Sequence, residues 1–283
     1  MLKKYKFEIL FAVLVAARAS SFVINKVILE NMGTMTLIAN RFLLTSILLF
    51  VLMPKRILRM NKASLLGGLA IGVTFFLMTY CEFSAVKTAD SSLVSIVEHV
   101  SIILVPLVEA ILVKKLPTAG TVIGAALAFA GIACIGFQYG TLSGSIGLSL
   151  LAAVLYTACI IVTDRVTTED ADPLVIGFVQ LLTMGSLALV FALTTERFTL
   201  PHGISQWWMI LFLVVVCSAF GFTLTPYAQS HISVERAGIL CAVNPAVAAI
   251  LGAAILHEHL GVLGIIGLFL VLGSIVIPYL KKD

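Results

Sequence analysis

Long apolar runs broken by short polar stretches make up almost the whole chain. They fall at about 7–29, 34–53, 64–84, 89–113, 119–138, 144–163, 173–193, 207–228, 234–256 and 261–280. A helix rises about 1.5 Å per residue, so roughly 20 apolar residues cross a hydrocarbon core about 30 Å thick. Each run approaches or exceeds that length, and the connections are too short to fold as a soluble domain. The pattern predicts an all-α integral membrane protein of ten transmembrane helices.

Composition strengthens this reading. Of 283 residues, 60% are hydrophobic and only 11% charged, with a mean hydropathy of +1.13, whereas soluble domains carry about 25% charged residues. The net charge of +4 matters less than its placement. With the N-terminus inside, the cytoplasmic side receives Lys3, Lys4, Lys6, Lys55, Arg56, Arg59, Lys62, Lys114, Lys115, Arg165, Arg236, Lys281 and Lys282. The outer side keeps Lys87 and Arg197, with Lys26 at the outer end of the first run. This bias predicts a multi-pass protein of the cytoplasmic (inner) membrane with both termini cytoplasmic, and it places Trp207 and Trp208 in an outer aromatic belt. The basic start and the small residues around Ala19 resemble a signal peptide, but cleavage there would halve a run that has a repeat partner, so a retained anchor is expected. Five cysteines (Cys81, Cys134, Cys159, Cys217, Cys241) show no disulfide or zinc spacing and read as packing residues.

The halves resemble each other weakly. At an offset of 139, Lys26 lies over Arg165 and Arg41 over Gln180; at 146, "SAVKTADSSLVSIVEH" lies over "SHISVERAGILCAVNP", and Gly124 meets Gly267 at 143. Two units, 1–139 and 140–283, would each hold five spans. An odd number inverts the second unit, which predicts two inverted five-helix repeats around a central cavity with the substrate near the midplane. Glu98-His99 then overlies Asn244-Pro245.

"SSFVINK" in the first run, "ANRFLLTSILL" in the second and "AGILCAVNPAVAAILGAAILHEHLGVLGIIGLFLVLGSIVI" in the last two resemble the EamA-domain branch of the drug/metabolite transporter superfamily. The resemblance covers nearly the whole chain and implies a ten-helix carrier of small metabolites. Three departures stand out. Arg18-Ala19 replaces the family's Trp-Gly, the first-half midspan proline is missing around His99, and Lys115 stands where an acid usually follows the fourth span, while Glu258 keeps its counterpart.

Ionisable residues at membrane depth are rare and are functional candidates. Glu98 and His99 sit in the middle of the fourth run, where Glu98 is the expected proton-coupling group. Adjacent helix positions point about 100° apart, so one is expected to face the cavity more than the other. Arg18, near the middle of the first run, must find an anion or water. It is expected to hold a substrate carboxylate or phosphate, or else to pair with Glu98. Tyr80, Tyr156, Thr157, Gln180 and Asn244 are further substrate-binding candidates, and Pro245 is a candidate hinge. Arg41 and Glu82 are expected to form a structural ion pair, while Lys26 is expected to snorkel towards water. His257, Glu258 and His259 lack the i, i+4 histidine spacing of a helical zinc site, so no metal or other cofactor is expected. The glycines at 67, 68, 72, 120, 124, 131, 136, 261, 264 and 267 read as close helix-packing faces.

These features predict a secondary active transporter that moves a small polar or zwitterionic, amino-acid-like metabolite or a drug by alternating access. The chain has no nucleotide-binding P-loop, so transport driven by the substrate gradient or by protons is expected, with export the expected direction. Organic cations or nucleoside-like metabolites are the alternative cargo. An integral membrane enzyme acting on lipid-like substrates is a weaker alternative, since "TTEDAD" lacks a DxxD-type constellation and suits a helix cap beside Pro173. A mixed Arg and Glu interior also disfavours a channel. The expected partners are a small-molecule substrate, membrane lipid and protons, with no nucleic acid, in a monomer or homodimer.

Overall fold

The computed structural model describes residues 6–112, 114, 116–138, 144–166, 170–221, 228, 231, 240 and 243–280. Lys3, Lys4, Lys115, Glu169, Arg236, Cys241, Lys281 and Lys282 lie outside them. The described residues form helices α1 (Lys6–Leu29), α2 (Thr34–Leu52), the short α3 (Pro54–Ile57), α4 (Lys62–Thr88), α5 (Ser91–Glu98), α6 (Ser101–Leu112), α7 (Ala119–Gln138), α8 (Gly144–Val166) and α9 (Pro173–Thr195). Beyond these come α10 (Gly203–Phe212), which continues into a π-helical segment (Leu213–Phe220), then α11 (Val243–Leu256) and α12 (Val262–Leu280). No strand occurs among the described residues. Among the described residues, seven helical stretches are long and apolar enough to cross a membrane, and three shorter apolar helices accompany them.

Most helix boundaries match the apolar runs, and their ends have local causes. Asn61 Oδ1 caps α4 by accepting from Ser64 N (2.9 Å), and Asp172 Oδ1 caps α9 by accepting from Leu174 N (3.0 Å) beside Pro173. At the start of α2 the carboxylate of Glu196 accepts from Met35 N (3.2 Å), Thr36 N (3.0 Å) and Thr36 Oγ (3.0 Å). An anion there meets both the orphan amides and the positive end of the helix dipole. The fourth run is not one helix: α5 stops at Glu98 and α6 begins at Ser101. Between them, Val100 N bonds to Val97 O and Ile102 N to His99 O, i→i−3 bonds that tighten the turn.

The pairings place α4 against α8 and α9, α2 against α9 and the π-helical segment, and α1 against α11 and the same segment. α5 packs on both α11 and α8, and α7 packs along α12. Glycines make the closest of these crossings possible. A Cβ on Gly68 would lie 3.0 Å from Ile176 O, and one on Gly72 2.9 Å from Gln180 O, both across the α4–α9 contact. Gly131 and Gly267 meet across α7–α12, where a Cβ on either would fall within 2.9 Å of the other's carbonyl oxygen. Close backbone approach through small residues is the usual way membrane helices gain contact without a hydrophobic driving force.

Candidate functional site

α1, α2, α4, the α5–α6 break, α8 and α11 surround a cavity of about 60 Å³. Helical spacing selects its walls. α1 presents Arg18, Ser21 and Phe22, and α4 presents Phe75, Met78, Thr79, Glu82 and Phe83. Both sets follow the i, i+3, i+4 pattern of one helix face. Arg41 and Phe42 enter from α2, Glu98 and His99 from the break, Tyr156 from α8 and Asn244 from α11. The space suits a few water molecules, well below the roughly 300–1,000 Å³ of pockets for drug-sized ligands. The side chains are therefore closed around one another.

The charged groups are held in different ways. Arg41 Nε donates to Ser218 Oγ (2.9 Å), its Nη1 donates to Asn25 Oδ1 (3.4 Å), and its guanidinium lies 5.2 Å from the Phe42 ring centre. His99 Nδ1 lies 2.7 Å from Ser95 O. A carbonyl can only accept, so the ring proton sits on Nδ1 and a neutral His99 keeps Nε2 as an acceptor. The ring also faces Phe22, at 6.3 Å between centres. Glu98 ends α5 with only 4% of its surface exposed. Its Oε2 accepts no hydrogen bond from a described residue, and neither does Asn244 Oδ1. Helix-end carbonyls repel a carboxylate and burial removes its water, so Glu98 is costly to keep ionised without a cation.

A second cluster joins the last turn of α1, the start of α5 and the turn after α11. Glu258 follows α11, and its Oε1 accepts from Ser91 N (2.7 Å), Ser91 Oγ (2.9 Å) and Lys26 Nζ (3.0 Å). Its Oε2 accepts from Ser92 N (3.1 Å) and from Ser92 Oγ. Lys26 also reaches Asp90 Oδ1 at 3.5 Å. Burial pushes the Glu258 carboxyl up, but the bonds from Ser92, Ser91 and Lys26 outweigh it and hold the group below its ordinary value of 4.5. Gly252 leaves room for this cluster, because a Cβ there would collide with the Glu258 carboxylate and Ser92 Oγ.

The same chain matches the EamA-like transporter family over residues 6–137 and 144–280. It belongs to that family. It is 24% identical over 284 residues to the uncharacterized transporter YetK of Bacillus subtilis (strain 168), spanning 96% of this chain and 86% of that protein. A crystal structure of a protein 19% identical shares the fold, with a TM-score of 0.63 over 95% of this chain and 93% of the other. The protein is thus a multi-pass membrane transporter of the EamA branch of the drug/metabolite transporter superfamily.

Within this EamA transporter the cavity gathers Arg18, Glu98, His99, Tyr156 and Asn244, with Arg41 and Glu82 beside them. Three other expected residues stand elsewhere. Tyr80 is 41% exposed, because it lies between the cavity-facing positions 79 and 82 and turns off their face. Thr157 is buried beside Tyr156 and returns its hydroxyl to Ala153 O at 2.9 Å. Gln180 is buried at the α4–α9 crossing opposite Gly72. Arg41 and Glu82 share the cavity but form no ion pair; Ser218 and Asn25 hold Arg41 instead. Lys26 does not snorkel, because Glu258 and Asp90 engage it. Pro245 is the third residue of α11 as described and is buried there.

The sequence reading missed the π-helical segment and what it positions. Ser218 meets Arg41, Cys217 Sγ donates to Ala17 O (3.2 Å), and Gly221 lets the Arg18 stem pass, since a Cβ there would lie 3.1 Å from Arg18 Cγ. The π-helical register is not readable from hydropathy. Asn25 was within reach: it follows Arg18, Ser21 and Phe22 on one face of α1 at i+7.

Proposed function

We propose that this transporter carries a small zwitterionic, amino-acid-like metabolite across the cytoplasmic membrane by alternating access, with the cavity between Arg18 and Glu98 as the substrate site. The observation that carries this reading is the cavity itself. It mixes guanidinium and carboxylate groups from different helices and leaves two buried acceptors, Glu98 Oε2 and Asn244 Oδ1, without donors among the described residues. A substrate ammonium would satisfy those acceptors and a substrate carboxylate would suit Arg18. Glu98 is the proposed proton carrier and export the proposed direction.

The proposed architecture is two inverted five-helix repeats, 1–139 and 140–283, with both termini cytoplasmic. Helix pairings favour it: α1 on α11 answers α8 on α5, and α4 on α9 answers the π-helical segment on α2. The Glu258 cluster ties α1, α5 and the α11–α12 turn together, as an outer gate would in its closed state. Lys115 stands at the related position in the first half, so charge favours closing one gate over the other. A monomer or a homodimer is the proposed assembly.

A thermal-shift screen of the purified full chain against zwitterionic amino acids, nucleosides and organic cations tests the substrate class. A ligand that binds only the folded state adds about 2.7 kcal/mol at a hundredfold excess over Kd, so at least one zwitterion is expected to raise the melting temperature. Stabilisation by organic cations or nucleosides with no response to any zwitterion would contradict the reading.

A further inference from the structure

A larger cavity, about 350 Å³, lies at the end of the bundle where α2 stops and α4 and α9 begin, and Lys55, Arg56 and Arg59 line it. Its floor is already satisfied internally. Asp172 N donates to Ser64 Oγ (2.8 Å), Ser64 N to Asn61 Oδ1 (2.9 Å), and Asn61 Nδ2 to Asp170 O (2.5 Å). The Asp172 carboxylate caps α9 and pairs with Arg56. Three cations therefore face one carboxylate that is already engaged, and among the described residues Lys55 and Arg59 have no ion-pair partner.

The surroundings identify the anion. Val51, Leu52 and Leu58 beside the cavity are 69%, 67% and 74% exposed, and they mark where apolar lipid-facing surface ends. Cations in a preformed pocket immediately past that edge sit at headgroup depth, and guanidinium groups match phosphate oxygens bidentately. We propose that Lys55, Arg56 and Arg59 form a phosphate-binding pocket for the headgroup of an anionic phospholipid. The bound headgroup bridges the α2–α4 connection to the start of α9, next to α4, which carries Glu82 to the substrate cavity. A free phosphate shares the recognising chemistry, and the test separates the two sources. The site does not depend on which substrate is carried.

The full chain in uncharged detergent is titrated with phosphatidylglycerol, phosphatidylcholine or inorganic phosphate, and binding is read by native mass spectrometry and melting temperature. Phosphatidylglycerol is expected to bind saturably and raise the melting temperature, with phosphatidylcholine weaker. A juxtamembrane cation contributes about fivefold to anionic-lipid affinity, so Lys55→Gln with Arg59→Gln is expected to weaken phosphatidylglycerol binding about 30-fold. Both side chains are exposed, so the double variant is expected to melt with the parent when no probe is present; should it not fold, each single variant is expected to lose about fivefold. A shift from inorganic phosphate that is equal to the lipid's and needs Lys55 and Arg59 supports the pocket with free phosphate as its source. Phosphatidylglycerol binding that is unchanged in the variants, or no binding of either anion, overturns the proposal.

Discussion

Replacing Glu98 by glutamine is expected to lower proton-driven substrate flux in proteoliposomes at least about tenfold, a change of about 1.4 kcal/mol, and to flatten its pH profile. Glutamine keeps the shape of the side chain but can neither ionise nor release a proton. In the folded protein Glu98 closes α5, 4% exposed, with Oε2 lacking a donor among the described residues. In the proposed mechanism so unfavourable a setting serves an occupant that arrives and leaves: a proton, or a substrate cation. Glu98 makes no ion pair among the described residues, so the variant is expected to purify and melt close to the parent. Unchanged flux and an unchanged pH profile would remove Glu98 from the coupling role.

The second large effect is on stability. Glu258→Ala is expected to cost about 3–5 kcal/mol, the range for breaking a buried ion pair by removing one partner. At roughly 2–4 °C per kcal/mol for a domain of about 150–250 residues, the melting temperature should fall by about 10 °C. The carboxylate accepts from two backbone amides and two hydroxyls at the start of α5 and also pairs with Lys26. Alanine takes this acceptor from the two amides and two hydroxyls at once and leaves Lys26 with Asp90 alone. Glu258→Gln keeps one acceptor oxygen and should lose less. The folded-state value of Glu258 lies below its ordinary one. Its contribution is therefore complete above about pH 4.5 and is lost as pH falls through the lower folded value. The parent should accordingly lose stability on that acid limb, and Glu258→Ala should lose less there. A melting temperature within about 1 °C of the parent would show that the cluster is not a latch.

The apolar runs translated almost directly into helices because bilayer thickness sets their length, and α2, α7 and α9 end within about two residues of the expected bounds. Side-chain direction was harder to read. Depth along a run is set by counting residues, but the face is set by rotation, and Tyr80 shows the difference: its depth suits the cavity while its side chain points outward. Tyr156 and Asn244 were singled out for polarity at depth, and both line the cavity. The broken fourth run was signalled only by its polar centre. No proline stands at 99 or 100, and the turn is made by i→i−3 bonds together with the His99 ring on Ser95 O. The roles of Ser218, Cys217 and Gly221 depend on a π-helical register that leaves no mark in hydropathy. Glu258 was visible as an acid kept after the ninth run, but its hold on Ser91 and Ser92 comes from packing across 167 and 166 residues of chain.

In the proposed mechanism Arg18 and Glu98 hold the substrate between them. Its most direct test is the Kd of the stabilising zwitterion for the purified parent and for Arg18→Ala, measured by isothermal titration calorimetry at neutral pH. Truncating one partner of a buried charge pair costs about 2–5 kcal/mol, so the variant is expected to bind at least about 30-fold more weakly. Equal affinity in parent and variant would contradict the account.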